Sequence, residues 1–141
     1  MYENVLVPTD GSEPAANAAR QAYEIAERFD ATLHSLFVID VDENTPLNLS
    51  AEPVVEGLRK EGERLTAEVA EDAPDGVETV TAIEQGSPDE RILEYADSEG
   101  IDVIVMGTHG RRGLDRYLIG SVTEKVLRQA DCSVLVTQPE D

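Results

Sequence analysis

Five short apolar runs, five to nine residues long, alternate with four stretches of helical periodicity along this 141-residue chain, and that order admits few folds. The runs are Glu3 to Thr9, Thr32 to Asp40, Val77 to Glu84, Asp102 to Met106 and Ser133 to Thr137. Strands separated by helices do not pair as tight hairpins. They pair in parallel through right-handed crossovers, which carry the helices onto both faces of the sheet. The expectation is an α/β fold, a single doubly wound, five-stranded, mostly parallel sheet with helices on both faces. A chain of this length builds one core, so residues 1–141 read as one domain.

The helical stretches carry their own punctuation. Ser12 is placed to cap the first, Glu13 and Pro14 suit its opening turn, and Ala15, Ala18, Ala19, Ala22, Ile25, Ala26 and Phe29 recur on one face. From Ala51 to Glu71 an amphipathic pattern rests on Val54, Val55, Leu58, Leu65 and Val69. Ser87 and Glu90 form a capping-box pair around Pro88, and Gly100 closes that helix. The last helix opens at Gly120-Ser121 and carries Val122, Val126 and Leu127. Val77 to Glu84 alternates apolar and polar residues, which places it near a sheet edge.

Bulk properties exclude several functions. No run approaches the roughly eighteen apolar residues of a spanning helix. The start, Met1-Tyr2-Glu3-Asn4, has no basic segment or apolar signal core, so the expected address is the cytoplasm. Cys132 stands alone, with no neighbouring base to activate it. Thirty acids against eleven basic residues, a formal charge of −19, repel nucleic acid and anionic lipid. The acids are scattered along the whole chain, as on a solvated, halophilic surface that high salt screens.

In an open parallel sheet, ligands bind beyond the carboxyl ends of the strands at the switch point. The segments to inspect are therefore Pro8 to Ser12, Val38 to Asp42 and Gly107 to Ser121. The third holds four glycines, whose small size lets main-chain N–H groups approach a ligand, and it runs into a helix start that suits an anion. Arg111, Arg112, Arg116, Lys125 and Arg128 fall within eighteen positions that contain only two acids, Asp115 and Glu124. A phosphate is the guest such a site predicts. There is no Gly-x-x-x-x-Gly-Lys-Ser/Thr and no Gly-x-Gly-x-x-Gly after the first strand, so the site is neither a P-loop nor a dinucleotide turn.

The spacing Gly107-x2-Gly110-x9-Gly120-Ser121 resembles the ATP-binding signature of the universal stress protein family. The opening Val5 to Ser12 and the ending Ser133 to Val136 are similar to that family's first strand and turn and its last strand. The resemblance implies a Rossmann-like fold of the adenine nucleotide alpha hydrolase type and a stress-response role. It implies ATP, with Mg2+ or Mn2+ as the companion of the phosphates. Pro8, Thr9 and Asp10 would lie by the ribose, the main chain of Val38, Ile39 and Asp40 by the adenine, and Met106 and Gly107 by the sugar. His109, Gly110, Arg111, Gly120, Ser121, Val122 and Thr123 would surround the phosphates.

Asp10 can equally close its own turn, and His109 can position rather than transfer protons. No catalytic residue and no dedicated metal ligands emerge, since Asp40, Asp42 and Glu43 read as scattered loop acids. The expected function is nucleotide-dependent regulation with slow or no hydrolysis. A weak ATPase or phosphotransferase using His109 or Asp10 is the alternative, and a nucleotide-free dimeric module a third. The last strand leaves an apolar edge, which a homodimer through Ser133 to Thr137, with Val134 and Val136 in the interface, would cover. Whether ATP, ADP or AMP is the bound form stays open, and so do the signal and any protein partner.

Overall fold

The structure, a computed structural model, describes residues 2–41, 44–108 and 119–138. Its elements are β1 (Asn4–Pro8), α1 (Glu13–Phe29), β2 (Thr32–Ile39), α2 (Glu52–Asp72), β3 (Thr79–Gln85), α3 (Pro88–Ser98), β4 (Val103–Gly107), α4 (Ser121–Gln129) and β5 (Ser133–Thr137). All four strand pairings are parallel, in the order β3-β2-β1-β4-β5. The chain builds outward from β1 through β2 to β3, then returns to lay β4 on the other side of β1. The winding reverses between β1 and β4, so the crevice opens there, beyond Pro8 and Gly107.

Strand β1 is central, and Val5, Leu6 and Val7 are fully buried because both faces are covered. Val5, Val7, Leu33, Val103 and Val105 meet the alanine face of α1. Leu6, Leu36, Ile104 and Met106 meet Ile92, Tyr95 and Ala96 of α3 and Val126 of α4. The outer strands β3 and β5 are half exposed, with Val80 and Leu135 each 38% accessible, as expected of edges.

Four details differ from expectation. Phe29 is 46% exposed, because α1 ends there on a left-handed Asp30 (φ 55°), and its ring stacks edge-to-face on Tyr2. Val54 lies on the exposed side of α2. That helix seats instead through Gly62, where a Cβ would fall 2.4 Å from Phe37 Cδ1, so only glycine allows this approach. Ser87 does open α3, but its side chain makes no capping hydrogen bond.

At the amino edge of the sheet, the Asp102 carboxylate accepts from the main-chain N–H groups of Glu3 (2.8 Å) and Asn4 (2.9 Å). Beside it His34 is buried, with Nδ1 2.7 Å from the Tyr95 hydroxyl and Nε2 3.0 Å from Asn4 Oδ1. An amide oxygen only accepts, so Nε2 carries the hydrogen and Nδ1 accepts from Tyr95. This end of the molecule is spent on holding strands together.

Candidate functional site

The crevice has two walls, each a strand end that runs into a helix. On the β1 side the main chain leaves the sheet at Thr9, whose N–H donates to Leu36 O (2.8 Å). The turn that follows is closed by its own side chains. Thr9 Oγ1 accepts from Gly11 N (3.2 Å), Asp10 Oδ1 from Ser12 N (2.9 Å), and Ser12 Oγ from Ala15 N (3.3 Å). Gly11 takes a left-handed φ of 80°, which a residue with a side chain resists. Pro8, Thr9 and Asp10 are half-buried, so they face the crevice without being sealed from it.

On the β4 side the strand runs one residue further than expected, to Gly107. A Cβ there would lie 2.7 Å from Pro14 Cβ and 2.9 Å from Pro14 O. The first glycine of the signature is thus required to let β4 end against the first turn of α1, whatever else it touches. Gly120, the N-cap of α4, donates its N–H to Thr108 O and so brings the helix start back onto the end of β4. Gly120 has no side chain with which to cap α4, and no capping bond is made by a side chain among the described residues. Ser121 is exposed, Val122 half-buried and Thr123 buried. Thr123 turns its hydroxyl inward and donates to Gly107 O (3.0 Å).

The free N–H groups of a helix start carry a partial positive charge, which proteins commonly complement with an acid in the first turn. Here α1 has Glu13 at its first position, α2 has Glu52, and α3 has Asp89 and Glu90. Of the four helices described, α4 alone has no acid among its first three residues, Ser121-Val122-Thr123. The acid that follows, Glu124, is paired with Arg128 at 2.8 Å. The helix start aimed at the switch point therefore carries its first-turn acid later than the other three helices do, at a position already paired with Arg128.

The third segment, at the end of β2, borders the β1 wall. Ile39 O is engaged twice, by Val41 N (2.9 Å) and Gly86 N (3.0 Å). Strand alternation turns the main-chain groups of Val38 the other way, toward β1 and past its last bond at Thr9, while Asp40 is exposed. His109, Gly110 and Arg111 lie outside the described residues, as do Arg112 and Arg116. The structure thus brings together Pro8, Thr9, Asp10, Met106, Gly107, Gly120, Ser121, Val122 and Thr123, with Val38 to Asp40 at one side. Pro14 and Thr137 belong to the same wall and were not foreseen, because only strand register shows that Thr137 pairs with Gly107. A separate groove of about 330 Å³, lined by Ser50, Glu52, Val55, Glu56, Arg59 and Gln85, sits beside the outer strand β3. Its two acids make it unsuited to an anion.

Fold and crevice together define a doubly wound α/β domain with an anion-compatible helix start at its topological switch point. The model of the universal stress protein family matches residues 1–138, and the chain belongs to that family. It is similar to universal stress protein MJ0531 of Methanocaldococcus jannaschii, 39% identical over 141 residues that cover 98% of this chain and 83% of the relative. Its fold superposes on the hypothetical protein MJ0577 with a TM-score of 0.89, at 30% identity, covering 100% of this chain and 99% of the other. A universal stress protein crystallised in complex with cAMP shares the fold at a TM-score of 0.77 and 24% identity, over 99% of each chain.

Proposed function

We propose that this protein binds an adenine nucleotide, with ATP and its Mg2+ or Mn2+ ion as the form held, and that occupancy regulates a partner in a stress response while hydrolysis is slow or absent. The observation that carries this reading is the start of α4, which has a glycine for its cap and no acid before its fourth residue, held at the switch point by Gly107, Thr108 and Gly120. Main-chain N–H groups of Ser121, Val122 and Thr123 would receive the phosphates there. Asp10 and the main chain of Val38 and Asp40 would take the ribose and base on the β1 side, and Gly110, with His109 and Arg111, would complete the loop over the phosphates. The cAMP bound by a protein of the same fold is consistent with a ligand of this class. Among the described residues no group of three His, Cys, Asp or Glu side chains could hold a metal ion, and the role proposed is ligand holding rather than turnover.

The same reading places the protein in the cytoplasm, adapted to high salt, as a homodimer through β5. Leu135 is exposed on that edge, whereas Val134 already packs against the core beneath α3 and α4, so Leu135 joins Val136 as the side chain that pairing would cover. The deciding experiment is to denature purified protein at high salt, identify any released nucleotide, and titrate ATP with magnesium into emptied wild type and a Gly110→Val, Gly120→Val double variant. Release of ATP, or saturable binding lost in the double variant, supports the proposal. A folded protein that neither releases nor binds nucleotide sinks it.

A further inference from the structure

The end of β4 presents three successive carbonyls, one accepting a hydrogen bond from β5 and two from the start of α4. Thr137 Oγ1 on β5 donates to Met106 O (3.4 Å), Thr123 Oγ1 in the first turn of α4 donates to Gly107 O (3.0 Å), and Gly120 N donates to Thr108 O (2.5 Å). Thr123 and Thr137 are only 4% and 5% exposed, so their hydroxyls have little access to water as a substitute partner. Gly107 is only half-buried, but the hydroxyl that serves it is buried, and when that donor is lost the cheapest relief is for the segment that bore it to move. The segment bearing Thr123 is the anion-facing turn itself.

We propose that Thr123 is a positioning residue for the phosphate-binding turn. Its hydroxyl points into the protein and fixes the height of the start of α4 over the end of β4, while its main-chain N–H remains on the ligand side. Thr137 extends the same anchoring to the last strand through a longer and weaker bond. The inference rests on the nucleotide reading for its functional consequence, but its structural content, that the Thr123 hydroxyl holds the Gly120 to Thr108 junction, is measurable without ligand.

The test uses the full chain with Thr123→Val, which keeps the shape and removes the hydroxyl, and Thr123→Ser, which restores it. Two readouts are taken: amide hydrogen exchange at Gly120, and the affinities for ATP and for adenosine by calorimetry. The expected result in Thr123→Val is Gly120 exchange faster by about tenfold and ATP binding weaker by about tenfold, with adenosine changed less than twofold, the scale of one lost hydrogen bond. Thr123→Ser should return both readouts to wild type, and Thr137→Val should move them in the same direction by less. If Thr123→Val does not fold, Thr123→Ala takes its place with the same expectations. Unchanged Gly120 exchange in the folded variant overturns the inference, as does an equal loss of ATP and adenosine affinity. A wild type that binds neither ligand removes the nucleotide reading alone, and the Gly120 exchange then still decides whether Thr123 anchors the turn.

Discussion

Two helices begin at the lip of the same crevice, and they treat their free N–H groups in opposite ways. The α1 start is finished by the chain itself: Ser12 caps Ala15, Asp10 closes onto Ser12, Thr9 onto Gly11, and Glu13 supplies negative charge at the first position. The α4 start has a glycine for its cap, and its first-turn acid, Glu124, comes only at the fourth position. That acid is itself paired with Arg128 at 2.8 Å, so the positive end of α4 is matched by its own turn less directly than that of α1. One wall of the crevice is therefore closed by its own side chains and the other is built mainly of main chain, and Asp10 closes its turn through Oδ1, a bond that leaves the proposed ribose contact to be tested.

The harshest way to break the comparison is at the point where the two walls touch. Gly107→Val drives a side chain into Pro14, whose Cβ and carbonyl lie within 3 Å of the position a Cβ would occupy, and forces β4 and α1 apart. A destabilisation of about 3 kcal/mol is expected, the upper range for overpacking, measured by urea unfolding at high salt. An unchanged unfolding midpoint would show that the strand end and α1 can separate freely.

Next in size is the substitution that would make the α4 wall resemble the α1 wall. Gly120 adopts φ −66° and ψ 157°, which any residue tolerates, so Gly120→Asp changes chemistry rather than backbone conformation. An aspartate there caps α4 and neutralises its positive end. The expected outcome is a protein at least as stable as wild type with ATP affinity reduced by tenfold or more, by the combined loss of the open N–H groups and like-charge repulsion. Undiminished affinity would show that α4 is not the phosphate site. The reciprocal change, Ser12→Ala, removes the cap of α1 and is expected to cost about 1 kcal/mol of stability while moving ATP affinity less than twofold. A large affinity loss would mean that the β1 turn is more than scaffold.

How far the sequence alone reached differs between these walls for a physical reason. Local signals were readable where the chain satisfies itself locally: Ser12 and Pro14 announce the start of α1, the Val5-Leu6-Val7 run announces a strand buried on both faces, and Gly100, with its φ of 64°, announces the end of α3. Signals that depend on the approach of distant segments were not. Gly62 looks like a weak point in an amphipathic helix until Phe37 is seen against it, and the place of Gly107 in the signature does not show that it also packs against Pro14. Ser87 and Glu90 have the capping-box spacing, but the Ser87 side chain makes no capping bond. Phe29 fits the helical period of α1 yet falls outside the core, because periodicity cannot tell where the sheet beneath a helix stops.

The smallest expected effect lies at the far end of the sheet and serves as a control on the whole comparison, since it should alter stability and leave the crevice alone. Burial lowers the pKa of His34 below its ordinary value, and the negative charge of Glu99 opposes that shift in part. The neutral ring is the form its neighbours hold, accepting from Tyr95 through Nδ1 and donating to Asn4 through Nε2. Well above pH 6.5 neither the folded nor the unfolded chain protonates this ring, and stability does not depend on it. As pH falls below 6.5 the unfolded chain takes up a proton that the folded one resists, so stability is lost until the depressed folded pKa is passed. Thermal unfolding between pH 7.5 and 5.5 should therefore fall more steeply for wild type than for His34→Gln. Glu99→Gln, which removes the opposing charge, should steepen it further. ATP affinity measured across the same range in wild type and His34→Gln should follow a common curve. A divergence between them would mean that the amino edge of the sheet communicates with the crevice, and the separation of a strand-holding end from a ligand-facing end would have to be redrawn.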